Sequence, residues 1–304
     1  MSRQQLLKSN LHQRMAIIRA VRDFFYVRGY LEVDTPVRNK TLAVEAHIEP
    51  FECEDWFLQA SPEICMKRLL AAGYERIFQI CKCFRKHERG ARHLPELNLL
   101  EWYAANTGYE SLMTDCEELF RHVARDLGQS AMLMYSGHAI DLGGVWERLT
   151  LARAFELYAS MPLAEAVARD CFEEVLSAEV EPKLGFARPT FIYAYPRSMG
   201  SLARPAKNDP AVVERFELYV AGIELANAFG ELTDVAEQRR RFEREQELQC
   251  ELGHRVIPIP QRFLDDLGHM PPASGIALGL DRLVMLFCDA QTIDEVTAFT
   301  PEEL

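Results

Sequence analysis

The stretch CFRKHERGARHLPELNLLEWY, residues 83 to 103, crowds six basic residues into a loop between two apolar runs: Arg85, Lys86, His87, Arg89, Arg92 and His93. Carboxylates stand among them at Glu88, Glu96 and Glu101. Guanidinium forks hold phosphates and carboxylates in bidentate geometry, so this loop suits a small polyanion such as a nucleoside triphosphate. It is equally compatible with a solvated loop of mixed charge. Two more carboxylates, Glu224 and Glu231, lie seven residues apart in IELANAFGE. They read most simply as exposed helix carboxylates, although Asn227 and Gly230 between them fit a plain helix poorly. Arg282, in GLDR, reads by itself as a helix-surface partner of Asp281 or Glu303. Cys81 and Cys83 share one face of a strand, but a C-x-C without a second pair is poor zinc evidence. The Arg239–Arg241 run reads as a solvated helix face.

These residues need elements to hold them. Leu11, Met15, Ile18, Val21 and Phe25 recur at helical spacing over 10–28, with Asn10 as cap and Gly29 as stop. YLEVDTPV alternates as a strand broken at Pro36. FECEDWFLQAS predicts a hairpin, and SPEICMKRLLAAGYERIFQICKCFR a helix begun at Ser61, Pro62 and Glu63, then a turn and a strand. The basic stretch is strand, loop, strand. Helices are predicted over 109–127 and 147–159, a polar helical region over 160–188 and a strand over 189–196. IELANAFGELTD runs into a charged helix, 235–252, and GIALGLDRLVMLF begins as a strand and becomes a helix. Strands and helices do not alternate regularly, which disfavours a doubly wound parallel sheet. No phosphate-cradling glycine motif is present.

Composition sets the outer bounds. The chain has 304 residues, 48% hydrophobic and 26% charged, with a formal net charge of −12. Generic binding to a nucleic-acid backbone asks for a basic surface, so the acidic balance disfavours it and favours cationic substrates or partners. No 18-residue apolar run exists to span a membrane. The polar start lacks a secretory signal core, and eight cysteines without framework spacing fit a reducing cytosol, so a cytoplasmic protein is expected.

Three segments together resemble the class II aminoacyl-tRNA synthetases. RGYLEVDTPV is similar to their motif 1, FRKHERGARHLPELNLLEWY to motif 2 and GIALGLDRLVML to motif 3. SPEICMKRLLAAGYERIFQI and IELANAFGELTD are similar to the lysyl branch. Lysyl-tRNA synthetases carry an N-terminal anticodon-binding domain, whereas here the motif 1 helix begins near residue 10. The chain therefore resembles the elongation factor P lysyltransferases, catalytic paralogues that use no tRNA. The expected fold is one α+β catalytic domain over 1–304, an antiparallel sheet flanked by helices, with motif 1 forming a homodimer interface.

The resemblance implies a site. Arg85 would hold the α-phosphate and the amino-acid carboxylate, and Arg282 the γ-phosphate beside adenine. Both are the expected catalytic groups. Lys86, His87, Glu88, His93, Leu94, Leu97, Glu224, Leu225 and Gly279 complete the expected ATP contacts. Glu224 and Glu231 would together hold Mg²⁺ on the ATP phosphates. Ser61, Pro62, Glu63, Glu101, Tyr103, Glu231 and Ala277 would receive (R)-β-lysine or lysine, carboxylates and a phenol being the acceptors that a diamine requires. Ala277 replaces a glycine usual in lysyl-tRNA synthetases and would favour the shifted amine of β-lysine. Motif 2 departs from the pattern at three places. His87 stands where Glu is usual, with Glu88 next to it. Leu94 replaces a nucleotide-contacting Asn, and Leu97 replaces the Phe that stacks on adenine.

The implied reaction is adenylate formation from ATP, then transfer to a lysine ε-amine of elongation factor P. The adenylate is a mixed anhydride, so no enzyme nucleophile is needed, and none is evident. Two alternatives stand beside it: another tRNA-free amino-acid-adenylating ligase, and a non-catalytic synthetase-like regulatory subunit.

Overall fold

The computed structural model describes residues 2–304. Ser2 caps a single turn, α1 (Arg3–Leu6), by exchanging hydrogen bonds with Gln5. The main N-terminal helix, α2 (Lys8–Val27), follows at once, so Asn10 is inside the helix instead of capping it. Its side-chain amide donates to the Glu295 carbonyl at 3.0 Å. Ile17, Ala20, Val21, Phe24 and Phe25 form the buried stripe, one step round from the expected one, and Met15 is left 66% exposed. Gly29, with φ +73°, ends the helix as expected.

Only two residues of YLEVDTPV form a strand, β1 (Leu31–Glu32). The FECEDWFL hairpin is β3 (Glu52–Cys53) and β4 (Trp56–Leu58), with β2 (Arg38–Asn39) paired to β4. Then come α3 (Glu63–Ala71), β5 (Arg76–Phe84), β6 (Glu96–Ala105) and α4 (Tyr109–Asp126). A small hairpin, β7 (Met132–Tyr135) and β8 (His138–Asp141), precedes β9 (Glu147–Thr150) and α5 (Leu151–Tyr158). The predicted helix over 147–159 is thus a strand for its first four residues, because β9 pairs with β10 (Thr190–Pro196) and Thr150 then caps α5. Residues 160–188 form short turns, α6 (Leu163–Ala168) and α7 (Phe172–Val175) among them. Phe172, Val175, Leu176 and Val180 are buried there, so the polar reading missed an apolar interior. The chain ends with β11 (Val212–Val220), β12 (Ile223–Gly230), α8 (Val235–Glu251), α9 (Gln261–Leu267), β13 (Ala273–Gly279) and α10 (Leu280–Phe287).

The fold is α+β. One eight-stranded sheet runs in the order β1-β5-β6-β13-β12-β11-β10-β9. Its interior pairs are antiparallel, and the short edge strands β1 and β9 pair in parallel, so the sheet is mixed at its rims. Strand periodicity sorts the residues by face. Phe78, Leu100, Trp102, Ile276, Leu278, Ala226, Ala228, Phe216 and Leu218 pack beneath α2, α4 and α10. The opposite face is polar at its centre and becomes the floor of a cavity. Among the described residues no helix is long and apolar enough to cross a membrane.

Candidate active site

The cavity has a volume of about 1260 Å³, enough for a nucleotide and an amino acid together. Its floor is the polar sheet face: Leu97, Leu99, Glu101 and Tyr103 from β6, Gly275, Ala277 and Gly279 from β13, and Asn227 and Phe229 from β12. Val44–Ile48, α8 and the turn at Arg197–Ser201 build its walls.

The basic loop divides its labour. Arg85, Arg92 and His93 reach the cavity. Arg85 Nε is buried without a hydrogen-bond partner, so the guanidinium has a donor to spare. Lys86 and His87 do not line the cavity, contrary to their expected ATP contacts. Both turn to Glu49, Lys86 Nζ at 2.8 Å and the exposed His87 ring at 3.5 Å. The reason is local: His87 has a left-handed backbone, φ +63°, which swings it outward and puts Glu88 on the wall in its place. Glu88 Oε1 is 3.7 Å from Arg85. Arg89 instead clamps the C-terminal segment, 2.8 Å from both Asp294 and Glu302.

Arg282 leaves its supposed surface partners to others. Asp281 pairs with Arg14 at 2.5 Å and accepts the Asn98 backbone N–H at 2.7 Å, which ties α10 to α2 and β6. Glu303 pairs with Arg3 at 2.6 Å. Arg282 donates to the Glu224 carbonyl at 2.6 Å and contacts the Glu224 carboxylate at 3.4 Å and the His93 ring. Loss of water around that ring, then the guanidiniums of Arg282, Arg85 and Arg92, push the His93 pKa down to about 4. It is therefore neutral at pH 7 and able to accept from Arg282.

Glu224 and Glu231 lie on and just after β12, not on a helix. Strict alternation over seven residues would send them to opposite faces. A bulge corrects this: Leu218 pairs with Ala226 but Tyr219 with Glu224, so Leu225 is an extra residue and both carboxylates reach the cavity. The expectation that they jointly ligate one Mg²⁺ does not fit, because seven extended residues separate their Cα atoms by about 20 Å. Glu224 faces the Arg282 end; desolvation and then Glu217 raise its pKa, so a cation there would be favoured. It fits a Mg²⁺ that takes one protein carboxylate and completes its shell with phosphate oxygens and water. Among the described residues no cluster of three or more metal-ligating side chains exists.

Glu231 belongs to the other end, an acidic pocket. Its Oε2 pairs with the Lys67 ammonium at 2.5 Å, and neither of its oxygens has a hydrogen-bond partner. Glu101, fully buried, accepts from Ser61 Oγ at 2.6 Å and Tyr103 Oη at 2.9 Å. Burial first, then Glu63, pushes the Glu101 pKa up to about 8. Burial raises Glu231 to about 7, with Lys67 opposing. Such carboxyl groups gain most when an ammonium arrives to share the low-dielectric space. Ser61, Glu63, Glu101, Tyr103, Glu231 and Ala277 share this pocket, while Pro62 is the α3 cap and stands off the wall. Leu94, Leu97, Leu225 and Gly279 also line the cavity.

Sequence reasoning missed Glu45, Lys67 and Arg215. Arg215 donates to Asn227 Oδ1 at 3.2 Å and Glu217 at 2.6 Å, which orients a floor residue. Its only sequence signal was a charged residue inside an apolar strand, VVERFELYV.

A mixed sheet with one helical face and one polar face, the polar face flooring an arginine-lined cavity, is the class II synthetase architecture. The family model described as tRNA synthetases class II (D, K and N) matches residues 1–303, and the chain belongs to that family. Among its relatives is the elongation factor P–(R)-β-lysine ligase of Hamiltonella defensa, 40% identical over 97% of this chain and 95% of that one. The proteins of the same name from Salmonella gallinarum and Edwardsiella ictaluri are each 39% identical over 96% of this chain and 94% and 95% of theirs.

Proposed function

We propose that this protein is an ATP-dependent ligase that activates (R)-β-lysine, or lysine, as an adenylate and transfers it to a lysine ε-amine of elongation factor P. The observation that carries the reading is the union, in one cavity, of a buried acidic pocket with an arginine-lined end. A diamine needs the first and a triphosphate the second. The relatives' shared name supplies the acceptor protein.

In the first step a substrate carboxylate oxygen attacks the α-phosphorus of ATP and pyrophosphate leaves. Arg85, with its spare Nε–H, stabilises charge on that phosphorus, and Arg282, held by Glu224 and His93, binds the departing phosphates. Mg²⁺ at Glu224 would neutralise phosphate charge. In the second step the acceptor amine attacks the carbonyl carbon, AMP leaves, and an amide forms. Ser61, Glu63, Glu101, Tyr103 and Glu231 orient the diamino acid throughout. Exposed Met15, Tyr26, Val27 and Leu31 on α2 and β1 support a homodimer. The acidic net charge supports a reaction without tRNA.

ATP–pyrophosphate exchange with a panel of amino acids tests the reading. Exchange with lysine or (R)-β-lysine, and none with norleucine, is expected. No exchange with any diamino acid refutes it.

A further inference from the structure

The pocket that would receive the diamino acid already holds a cation of its own. Lys67 lies one turn after Glu63 on α3, and its side chain is 1% exposed. Its ammonium stands 2.5 Å from Glu63 Oε1 and 2.5 Å from Glu231 Oε2. Burial lowers its pKa, but Glu231 and then Glu63 more than offset this, so the net shift is upward and the charge is permanent at physiological pH. A lysine this deep needs such pairing to stay charged.

Charge balance says what it does there. Glu63, Glu101 and Glu231 carry three negative charges when ionised, and Lys67 cancels one. The remaining two match a substrate with two ammonium groups. Without Lys67, three carboxylates would face those two, and one would have to keep a proton. Glu45, also on the wall, feels Arg85 and Arg215 as well as Glu63 and Glu245, and Arg204 is a second cation near Glu231. Geometry agrees with the count. Lys67 donates a hydrogen bond to Glu63 Oε1 and makes an ion pair with Glu231 Oε2; neither Glu231 oxygen has a hydrogen-bond partner, and Oε1, beside Gly275 and Tyr103, has no ion-pair partner either.

We infer that Lys67 is a positioning residue for amino-acid recognition: it holds Glu63 and Glu231 so that a free oxygen of Glu231 faces the substrate, and it trims the pocket to the charge of a diamino acid. This rests on the proposed function. Lys67 itself touches no substrate, and its effect reaches the reaction through the two carboxylates.

The test is ATP–pyrophosphate exchange by the parent, Lys67→Met and Lys67→Ala, with thermal melting of each. The KM for the diamino acid is expected to rise roughly 30-fold or more, because one partner of a buried pair is lost. The KM for ATP should stay within roughly threefold, which a general structural defect would not respect. Added propylammonium should restore part of the loss in Lys67→Ala, where a cavity admits it, and none in Lys67→Met. Should the single variants fail to fold, Lys67→Met with Glu231→Gln removes one charge of each sign. That pair is expected to fold and, because two negative charges remain, to prefer lysine over norleucine more strongly than Glu231→Gln alone does. A parent that activates no diamino acid refutes the proposed function. A working parent whose folded Lys67 variants keep its KM, or a double variant whose preference is no stronger than that of Glu231→Gln alone, refutes the Lys67 inference alone.

Discussion

Gly275→Ala adds one methyl group at the tightest point of the pocket. Gly275 lies on β13 between Tyr103 of β6 and Phe229 of β12, hydrogen-bonded into the sheet on both sides. A Cβ there would fall within the Tyr103 ring and against Glu231 Oε1, closer than heavy atoms approach. The backbone cannot retreat, so the ring must tilt, and its 2.9 Å hydrogen bond to Glu101 goes with it. Overpacking costs about 1–3 kcal/mol. Losing a hydrogen bond to a carboxyl that burial keeps largely protonated at pH 7 costs about 0.5–1.5 kcal/mol, and the two overlap because one movement causes both. A total of about 2–4 kcal/mol corresponds to a fall in Tm of roughly 5–15 °C at 2–4 °C per kcal/mol. In exchange assays the same displacement should raise the KM for the diamino acid by roughly 10- to 100-fold and leave the KM for ATP nearly unchanged. Because Gly275 has no positive φ, backbone strain does not confuse the result. Parent-like Tm and amino-acid KM together would show that Tyr103 and Glu231 do not enclose the pocket as described.

Glu224→Gln should raise the Mg²⁺ and ATP demand of exchange, and Glu231→Gln the amino-acid KM; equal shifts in Mg²⁺ dependence would revive a shared ion. Ala277→Gly removes a methyl between Glu101 and Asn227 and should improve α-lysine relative to (R)-β-lysine by tenfold to a few hundredfold, bounded by about 1–3 kcal/mol. An unmoved ratio would mean the methyl does not shape the pocket. Leu97→Phe gives the nucleotide end an aromatic face, and about 0.5–1.5 kcal/mol of stacking should lower the ATP KM by up to roughly tenfold; an unchanged value would place adenine elsewhere. The carboxyls of Glu101 and Glu231 are raised by burial, to about 8 and about 7, so their contribution to stability is full below pH 4 and is lost as pH rises towards 8. Over that window the Tm of the free protein should fall while the Tm gain on adding a diamino acid grows, and Glu101→Gln should flatten both trends.

The fold was legible where pattern and period agree. LNLLEWY is apolar enough for a strand, and its two faces went to two environments: Leu100 and Trp102 to the helical layer, Leu99, Glu101 and Tyr103 to the cavity. GIALGLDRLVMLF changes period at Gly279, where β13 becomes α10. Local pattern failed where distant pairing decides. Residues 147–150 are a strand because β10, forty residues on, lies beside them. Met15 fits an apolar stripe and is exposed, because α2 is turned by what it meets, Arg14 being drawn to Asp281 from the far end of the chain.

The candidate site divides in the same way, and the division is physical. Residue types suited to phosphate or ammonium are visible as types, so Arg85, Arg282, Glu63 and Tyr103 were expected at a site, and all four line one cavity. Which end of the cavity a residue serves depends on backbone detail that no spacing shows. The left-handed turn at His87 exchanges it for Glu88, and the extra residue at Leu225 brings Glu224 onto the face of Glu231 while leaving the two far apart along the strand. The same logic hides Lys67. In SPEICMKRLL it is one lysine on an amphipathic helix, ordinarily solvated, and only the convergence of α3 with the residue after β12 makes it a buried cation between two carboxylates. A pocket for a dication needs surplus negative charge, and a fold can bury that surplus only if part of it is cancelled from within. The internal lysine is therefore a condition on the acidic pocket, and it is set by tertiary contact, where sequence patterns carry least information.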